Sequence, residues 1–182
     1  MAQREFKRVL AANRGEIAIR IFRACYDLNL RTVAMYSEED TNSQFRTHAD
    51  EAYMIGLNKT PVGAYLDIPE IISLAKSKGV DAIHPGYGFL SENAEFAKAC
   101  EDAGIQFIGP PSGILARMGD KLSAKEIAIA AGVPVIPGCK EPLRDGDEAL
   151  EKAVSFWVPC HPEGSRGRRR TRHAALQLAG GG

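Results

Sequence analysis

Short apolar runs alternate along the chain with longer stretches in which apolar residues recur every three or four positions. The short runs predict buried strands, and they lie at residues 7–12, 32–36, 52–55, 80–83 and 105–108. The longer stretches predict amphipathic helices, which follow the first, third and fourth runs. Strands that alternate with helices predict an α/β fold, in which an open parallel sheet carries helices on both faces.

The ends of two predicted helices are marked by residues that commonly begin or end helices. Asp67 is placed to cap the second helix, and Gly79 to end it. Ser91 or Glu92 is placed to begin the third helix. Residues 37–48 are polar and predict a loop between two strands.

The alternation of strands and helices stops at a double proline, residues 110–111. Two helical patterns, one extended run and a last helix follow, up to residue 156. These elements are too few to form a complete domain. The sequence therefore predicts one domain over residues 1–111 and the beginning of a second over residues 112–156.

Ligands of open parallel sheets bind at the carboxyl ends of the strands. Residues 84–91, which we call the glycine loop, follow a predicted strand, and their glycines let the backbone approach a ligand. Polar or flexible positions in or beside this loop make it a candidate binding site: His84, Tyr87, Gly88 and Glu92. The alternative is a tight turn without a ligand. A dinucleotide-binding fingerprint would need a third glycine, which is missing.

A second polar loop contains Asn13, Arg14 and Gly15 and also joins a strand to a helix. The Arg14 guanidinium could hold a phosphate or a carboxylate. In the other interpretation, Asn13 caps the following helix and Glu16 interacts with its positive end. The residues alone favour the helix cap.

The 23 basic and 23 acidic side chains balance, but they are unevenly placed. The residues from Trp157 on contain five Arg and one Glu, so the preceding body is mildly acidic and predicts no nucleic-acid surface. No apolar run reaches the roughly 20 residues of a membrane span, and the first residues lack the apolar stretch of a signal peptide. The four scattered Cys match no standard zinc pattern, so no metal site is predicted. A cytoplasmic protein fits these features.

Three motifs resemble those of biotin carboxylases, in the same order and at similar spacing. They are Ala-Ala-Asn-Arg-Gly-Glu-Ile-Ala-Ile-Arg at residues 11–20, residues 84–93, and Met-Gly-Asp-Lys at residues 118–121. The resemblance covers residues 6–156. Two further segments, residues 45–53 and 61–67, are more similar to pyruvate carboxylases than to acetyl-CoA or propionyl-CoA carboxylases.

The resemblance implies a Rossmann-like pre-ATP-grasp domain followed by the start of an ATP-grasp domain. It also implies a reaction in which ATP and bicarbonate give carboxyphosphate, which carboxylates biotin on a carrier domain. In pyruvate carboxylases a carboxyltransferase domain then passes the carboxyl group to pyruvate, which yields oxaloacetate. The implied cofactors are ATP, Mg2+ and carrier-bound biotin, and the implied assembly is a homo-oligomer.

The resemblance also suggests roles for individual residues. Lys121 matches the first Lys of the family that contacts ATP. Tyr87 and Glu92, in the segment with His84 and Gly88, match a loop that borders the biotin and bicarbonate pocket. Arg23 matches a residue at the family's subunit interface.

The resemblance stops at Trp157, where the family continues with Gly-Tyr-Pro-Val, a second ATP-contacting Lys and a glycine-rich flap. Codons exist for residues 157–174 that, read from the second base onward, encode Gly-Tyr-Pro-Val-Ile-Leu-Lys-Ala-Ala-Ala-Gly-Gly-Gly-Gly-Arg-Gly-Met. We therefore hypothesise a frameshift near codon 157. Residues 157–182 are then an aberrant tail, expected to be disordered because its apolar residues show no periodicity.

Without the second Lys and the flap, the chain is expected to bind these cofactors poorly and to be inactive alone, because phosphoryl transfer depends on positioning and electrostatics. Two alternatives stay open. The chain could belong to an acetyl-CoA or propionyl-CoA carboxylase, or it could act as a non-catalytic interaction module that pairs with intact subunits.

Overall fold

The computed structural model of the chain describes residues 6–135. Its sheet contains five strands: β1 (Arg8–Ala11), β2 (Arg31–Tyr36), β3 (Glu51–Met54), β4 (Ala82–His84) and β5 (Gln106–Phe107). Its helices are α1 (Gly15–Asp27), α2 (Pro61–Tyr65), α3 (Ile68–Ser77), α4 (Ala94–Asp102), α5 (Ser112–Met118) and α6 (Lys121–Ala130). Two short 3-10 turns, Glu38–Asp40 and Gln44–His48, lie between β2 and β3.

The five strands form one parallel sheet in the order β3-β2-β1-β4-β5. β1 lies at its centre, with Leu10 paired to Val33 of β2 on one side and to Ile83 of β4 on the other. The chain adds β2 and β3 to one side of β1 and then crosses over to add β4 and β5 to the other. The predicted open parallel sheet is confirmed.

The two faces of the sheet are covered by different helices. In β1, Val9 and Ala11 face a core that α1 completes with Ala18, Ile21, Phe22 and Cys25. Leu10 and Ala12 face the opposite core, to which α3 and α4 contribute Ile71, Ala75, Phe96, Ala97 and Cys100. Successive strand residues point to opposite faces, so a nearly continuous apolar strand supplies both cores. Helices on both faces were predicted and are confirmed.

One predicted helix cap is present and another is in a different place. Asp67 caps α3, since its Oδ1 accepts a hydrogen bond of 3.1 Å from the Glu70 amide. The start of α4 at Ser91 or Glu92 was wrong: α4 begins at Ala94, and Asn93 Oδ1 accepts from the Phe96 amide at 2.8 Å. The preceding residues already form turns, in which the Ser91 amide donates to the Gly88 carbonyl.

The polar segment 37–48 was predicted as a loop but contains the two 3-10 turns. They place Phe45, which is buried, in the core beside α1. Helix α2 was not predicted, because five residues are too few to show a helical repeat. It buries Ala64 and Tyr65 against the other face of the sheet.

The described residues fall into two units, one that ends at Arg117 and one that begins at Met118. In the described part of the second unit, Asp120 caps α6 by accepting from the Ser123 amide at 2.8 Å. The domain limits at residues 111 and 156 stay predictions. The expected last helix, the frameshift and the tail lie outside the described residues. Across residues 6–135, no helix has the length and apolar character that a membrane span requires.

We expect Asn93→Ala to lower the free energy of unfolding by about 1 kcal/mol, because α4 loses its capping side chain. Ser91→Ala, two residues earlier, serves as the control and should change it by less than about 0.5 kcal/mol. Urea unfolding monitored by circular dichroism measures both values. Equal losses in the two variants would place the start of α4 elsewhere.

Candidate functional site

The carboxyl ends of β1 and β4 lie side by side at the point where the chain switches from one half of the sheet to the other. The Ala12 amide extends their pairing by donating to the His84 carbonyl at 2.9 Å. Such switch points form the crevices in which open α/β sheets bind ligands. The structure therefore brings the loop after β1 and the glycine loop together at one edge, as predicted.

Asn13 connects these two loops. Its side chain is buried, and its Nδ2 donates to the Pro85 carbonyl at 2.8 Å and to the Tyr87 carbonyl at 2.9 Å. Its Oδ1 accepts from the Arg14 amide at 2.9 Å. The expectation that Asn13 caps α1 was wrong, since Arg14 occupies the cap position and no side chain there makes a capping bond. The side-chain amide of Asn13 instead holds the base of the glycine loop.

Gly86 is the position where the glycine loop comes closest to Asn13. A Cβ at Gly86 would lie 2.7 Å from Asn13 Nδ2, and the residue has φ +66°, a conformation that favours glycine. Gly88 has a similar φ of +68°, but a Cβ there would meet nothing within 4 Å. Gly86 is therefore required for loop packing, whereas the space beside Gly88 is open.

His84 supports the same turn through its imidazole. Its Nδ1 accepts a hydrogen bond of 3.0 Å from the Gly86 amide, which requires that nitrogen to be unprotonated. Burial lowers the pKa of His84 below its ordinary value. At neutral pH this residue is therefore a neutral acceptor that stabilises the loop.

The tip of the glycine loop faces solvent. Tyr87 is 64% exposed, and Gly88 and Glu92 are exposed as well. An aromatic ring, an accessible glycine backbone and a carboxylate thus lie along one short segment above the switch point. This set can stack on a flat ligand and exchange hydrogen bonds with it.

Arg14 binds a carboxylate, but the carboxylate belongs to the chain itself. Its Nε and Nη2 donate to the two oxygens of Asp40 at 2.6 and 2.5 Å. Asp40 is 2% exposed, and the Arg14 contact lowers the pKa of its carboxyl group to about 2. The guanidinium therefore serves first to compensate a buried charge.

Two tyrosine contacts extend this pair to the glycine loop. The Tyr65 hydroxyl donates to Asp40 Oδ2 at 2.7 Å, and burial raises the pKa of that hydroxyl. The Tyr65 ring lies against the Phe89 ring, with centroids 5.1 Å apart. We call Arg14, Asp40, Tyr65 and Phe89 the Asp40 network. Sequence reasoning missed Asp40, although its place just after a strand of a parallel sheet was a usable signal.

Two further predicted site residues lie on helices. Arg23 is exposed on α1, and Lys121 is the first residue of α6 in the second unit. Cys25 and Cys100 are buried and unpaired, and burial raises the pKa of both thiols. Within residues 6–135, no group of three or more His, Cys, Asp or Glu side chains is placed to hold a metal ion.

We expect acidification from about pH 7.5 to about pH 5.5 to destabilise the fold through His84. Its folded pKa lies below the unfolded value of 6.5, so its stabilising contribution is complete above pH 6.5 and is lost as the pH falls from there through the lower folded pKa. In His84→Asn the side-chain oxygen can still accept from the Gly86 amide, and most of the acid-induced loss of stability should disappear. His48 is exposed and provides the control, since His48→Asn should still lose stability on acidification. Urea unfolding midpoints at the two pH values measure the loss in each variant.

The chain is similar to known carboxylases over most of its length. The family model for the biotin carboxylase N-terminal domain matches residues 5–115. Mitochondrial pyruvate carboxylase of Mus musculus is 56% identical over 168 residues, which cover 90% of this chain and 14% of that protein. A biotin carboxylase of Halalkalibacterium halodurans is 55% identical, covering 89% of this chain and 36% of its own length.

Solved structures agree with this assignment. The biotin carboxylase domain of Hydrogenobacter thermophilus 2-oxoglutarate carboxylase, in complex with MgADP and bicarbonate, superposes with a TM-score of 0.82 at 47% identity. That match covers 91% of this chain and 36% of the other. A complete pyruvate carboxylase from Rhizobium etli gives a TM-score of 0.69 at 47% identity, over 73% of this chain and 13% of its own. The chain belongs to the biotin carboxylase family, and residues 5–115 are its N-terminal domain.

Proposed function

We propose that the chain supplies the N-terminal part of a biotin carboxylase that uses ATP and bicarbonate to carboxylate biotin. The observation that carries this proposal is the glycine loop, held at its base by Asn13 and exposing Tyr87, Gly88 and Glu92 at the switch point. Relatives of the same fold include a domain solved with MgADP and bicarbonate. We propose that the exposed tip borders the biotin and bicarbonate pocket.

A nucleotide contact is proposed from Lys121, which begins α6 and matches the first ATP-contacting Lys of the family. A Lys ammonium group can act as a point charge for phosphates. Mg2+ is assigned to none of the described residues and would accompany ATP, whose phosphate charge it neutralises. We propose that Lys121 contributes one phosphate contact and that further parts of a carboxylase supply the rest of the nucleotide site.

The reaction of the intact protein is proposed to be the carboxylation of pyruvate to oxaloacetate. The chain spans only 14% of the mouse pyruvate carboxylase and 13% of the Bacillus subtilis one, to which it is 58% identical. The proposed partners are a biotin carrier domain, a carboxyltransferase domain and further copies of the carboxylase, the last through the face that carries Arg23. The match to a separate biotin carboxylase favours a second candidate, a subunit of an acetyl-CoA or propionyl-CoA carboxylase.

The tail from Trp157 on is proposed to result from a frameshift, because codons can be chosen for it that encode the missing family segment when read from the second base. The 182 residues alone would then lack the second Lys and the glycine flap and would not turn over. The cytoplasmic location stays a prediction, because the mouse relative is named a mitochondrial protein.

The proposal predicts that restoring the reading frame at codon 157 gives an active enzyme. We expect the gene, with one base removed at codon 157 and read onward in that frame, to give a protein with bicarbonate-dependent ATP hydrolysis that biotin stimulates. The 182-residue chain should show none. Lys121→Met in the corrected protein should lower kcat/KM for ATP at least about tenfold, because a charged phosphate contact is lost.

Lys98→Met is the matched control, because Lys98 forms a surface ion pair with Asp102 on α4. Its kcat/KM should stay within about twofold of the parent, as expected for a surface pair. A corrected protein that hydrolyses ATP without any response to bicarbonate or biotin would contradict the proposed reaction. Equal losses in the two Lys variants would contradict the role of Lys121.

A further inference from the structure

The glycine loop is held at two separate places. Asn13 holds its base through the carbonyls of Pro85 and Tyr87. Beyond Gly88 the tip makes a different contact, in which Phe89 lies against the Tyr65 ring at 5.1 Å with the planes inclined by 31°. Phe89 is only 37% exposed, although it belongs to the part of the loop that faces solvent.

Phe89 has φ +41°, a left-handed conformation that a bulky residue rarely adopts. Such a backbone persists where surrounding contacts compensate for its cost. The Ser91 amide closes the same turn by donating to the Gly88 carbonyl at 2.9 Å. The ring contact with Tyr65 is therefore placed to maintain a turn that would otherwise be unfavourable.

Tyr65 is itself fixed at its hydroxyl end. The hydroxyl donates to Asp40 at 2.7 Å and accepts from the Ser37 amide at 3.2 Å. Asp40 is held in turn by Arg14 and by the Ser43 hydroxyl at 2.7 Å. A ring that is 1% exposed and bonded at its far end has little freedom to move, so it offers Phe89 a rigid surface.

We propose that Tyr65 is a positioning residue, which holds the exposed tip of the glycine loop in its binding conformation through Phe89. Arg14 and Tyr65 share one carboxylate, so the loop after β1 and the glycine loop are coupled through Asp40. This inference rests on the proposed function in one respect only, namely that the tip contacts the biotin or bicarbonate substrate. The coupling itself is a property of the chain and can be measured without any substrate.

The test is amide hydrogen exchange of the 182-residue chain, followed at the Ser91 amide and at the Asn29 amide, which donates to the Tyr26 carbonyl at 2.9 Å just after α1. Phe89→Leu removes the ring, and Ser91 exchange should rise about threefold to tenfold, as expected for the loss of one aromatic pair. Phe89→Tyr keeps the ring and should restore exchange to within about twofold of the parent. The Asn29 amide exchanges through local fraying at the end of α1, on the opposite face of the sheet from Tyr65, and should change in neither variant.

Tyr65→Phe keeps the ring but removes its bond to Asp40, so Ser91 exchange should rise whereas Asn29 exchange stays unchanged. Tyr53→Phe is the matched control, since it removes a hydroxyl bond of 2.7 Å to Glu51 in β3 and should leave Ser91 unchanged. The inference is overturned if Phe89→Leu leaves Ser91 exchange unaltered, or if Phe89→Tyr fails to restore it. It is also overturned if Tyr65→Phe accelerates Ser91 and Asn29 equally, which would indicate an effect that is not specific to the glycine loop.

These outcomes are independent of the outcome for the proposed function. A chain that shows the expected exchange pattern, but whose frame-corrected form lacks bicarbonate-dependent ATP hydrolysis, would retain the coupling and lose the proposed reaction. The reverse result, an active corrected protein with unchanged Ser91 exchange in Phe89→Leu, would retain the reaction and overturn the role of Tyr65.

Discussion

The buried carboxylate of Asp40 is the interaction on which the carboxyl edge of the sheet depends. A charge that is 2% exposed is tolerated only when hydrogen bonds and an opposite charge replace its water. Arg14, Ser43 and Tyr65 provide these, and they come from the segments that follow β1, β2 and β3. Through the contact of Tyr65 with Phe89, the segment after β4 joins them. One carboxylate thus connects the loops of four neighbouring strands.

This arrangement explains how an α/β sheet of ordinary design can present a defined binding edge. The sheet places the loops close together, but proximity alone does not fix a glycine-rich segment, whose backbone has wide conformational freedom. Asn13 fixes the base of the glycine loop, and the Asp40 network fixes its tip. Tyr87 and Glu92 are exposed at this edge, and the solved members of the family include a complex with MgADP and bicarbonate.

The sequence was sufficient to predict what depends on local patterns, and the motifs were sufficient to identify the family. Apolar periodicity predicted the strands and the main helices, because burial on a sheet face or helix face imposes a fixed repeat. The strand order and the hydrogen-bond partners of Asn13 and Asp40 could not be predicted from the sequence, because these contacts join residues that are far apart in the chain. Asn13 was taken for a helix cap since the local pattern fits one, whereas its amide bonds to carbonyls more than 70 positions away.

The most direct test of this account is the ionisation of Asp40. Titration of the chain followed by carbonyl carbon chemical shifts gives the pKa of each carboxyl group. The account predicts a pKa of about 2 for Asp40, so that it stays ionised in acid that protonates exposed carboxylates. A pKa near the ordinary 3.8 would mean that Arg14 and Tyr65 do not hold this carboxylate in solution, which would contradict the proposed origin of the site's rigidity.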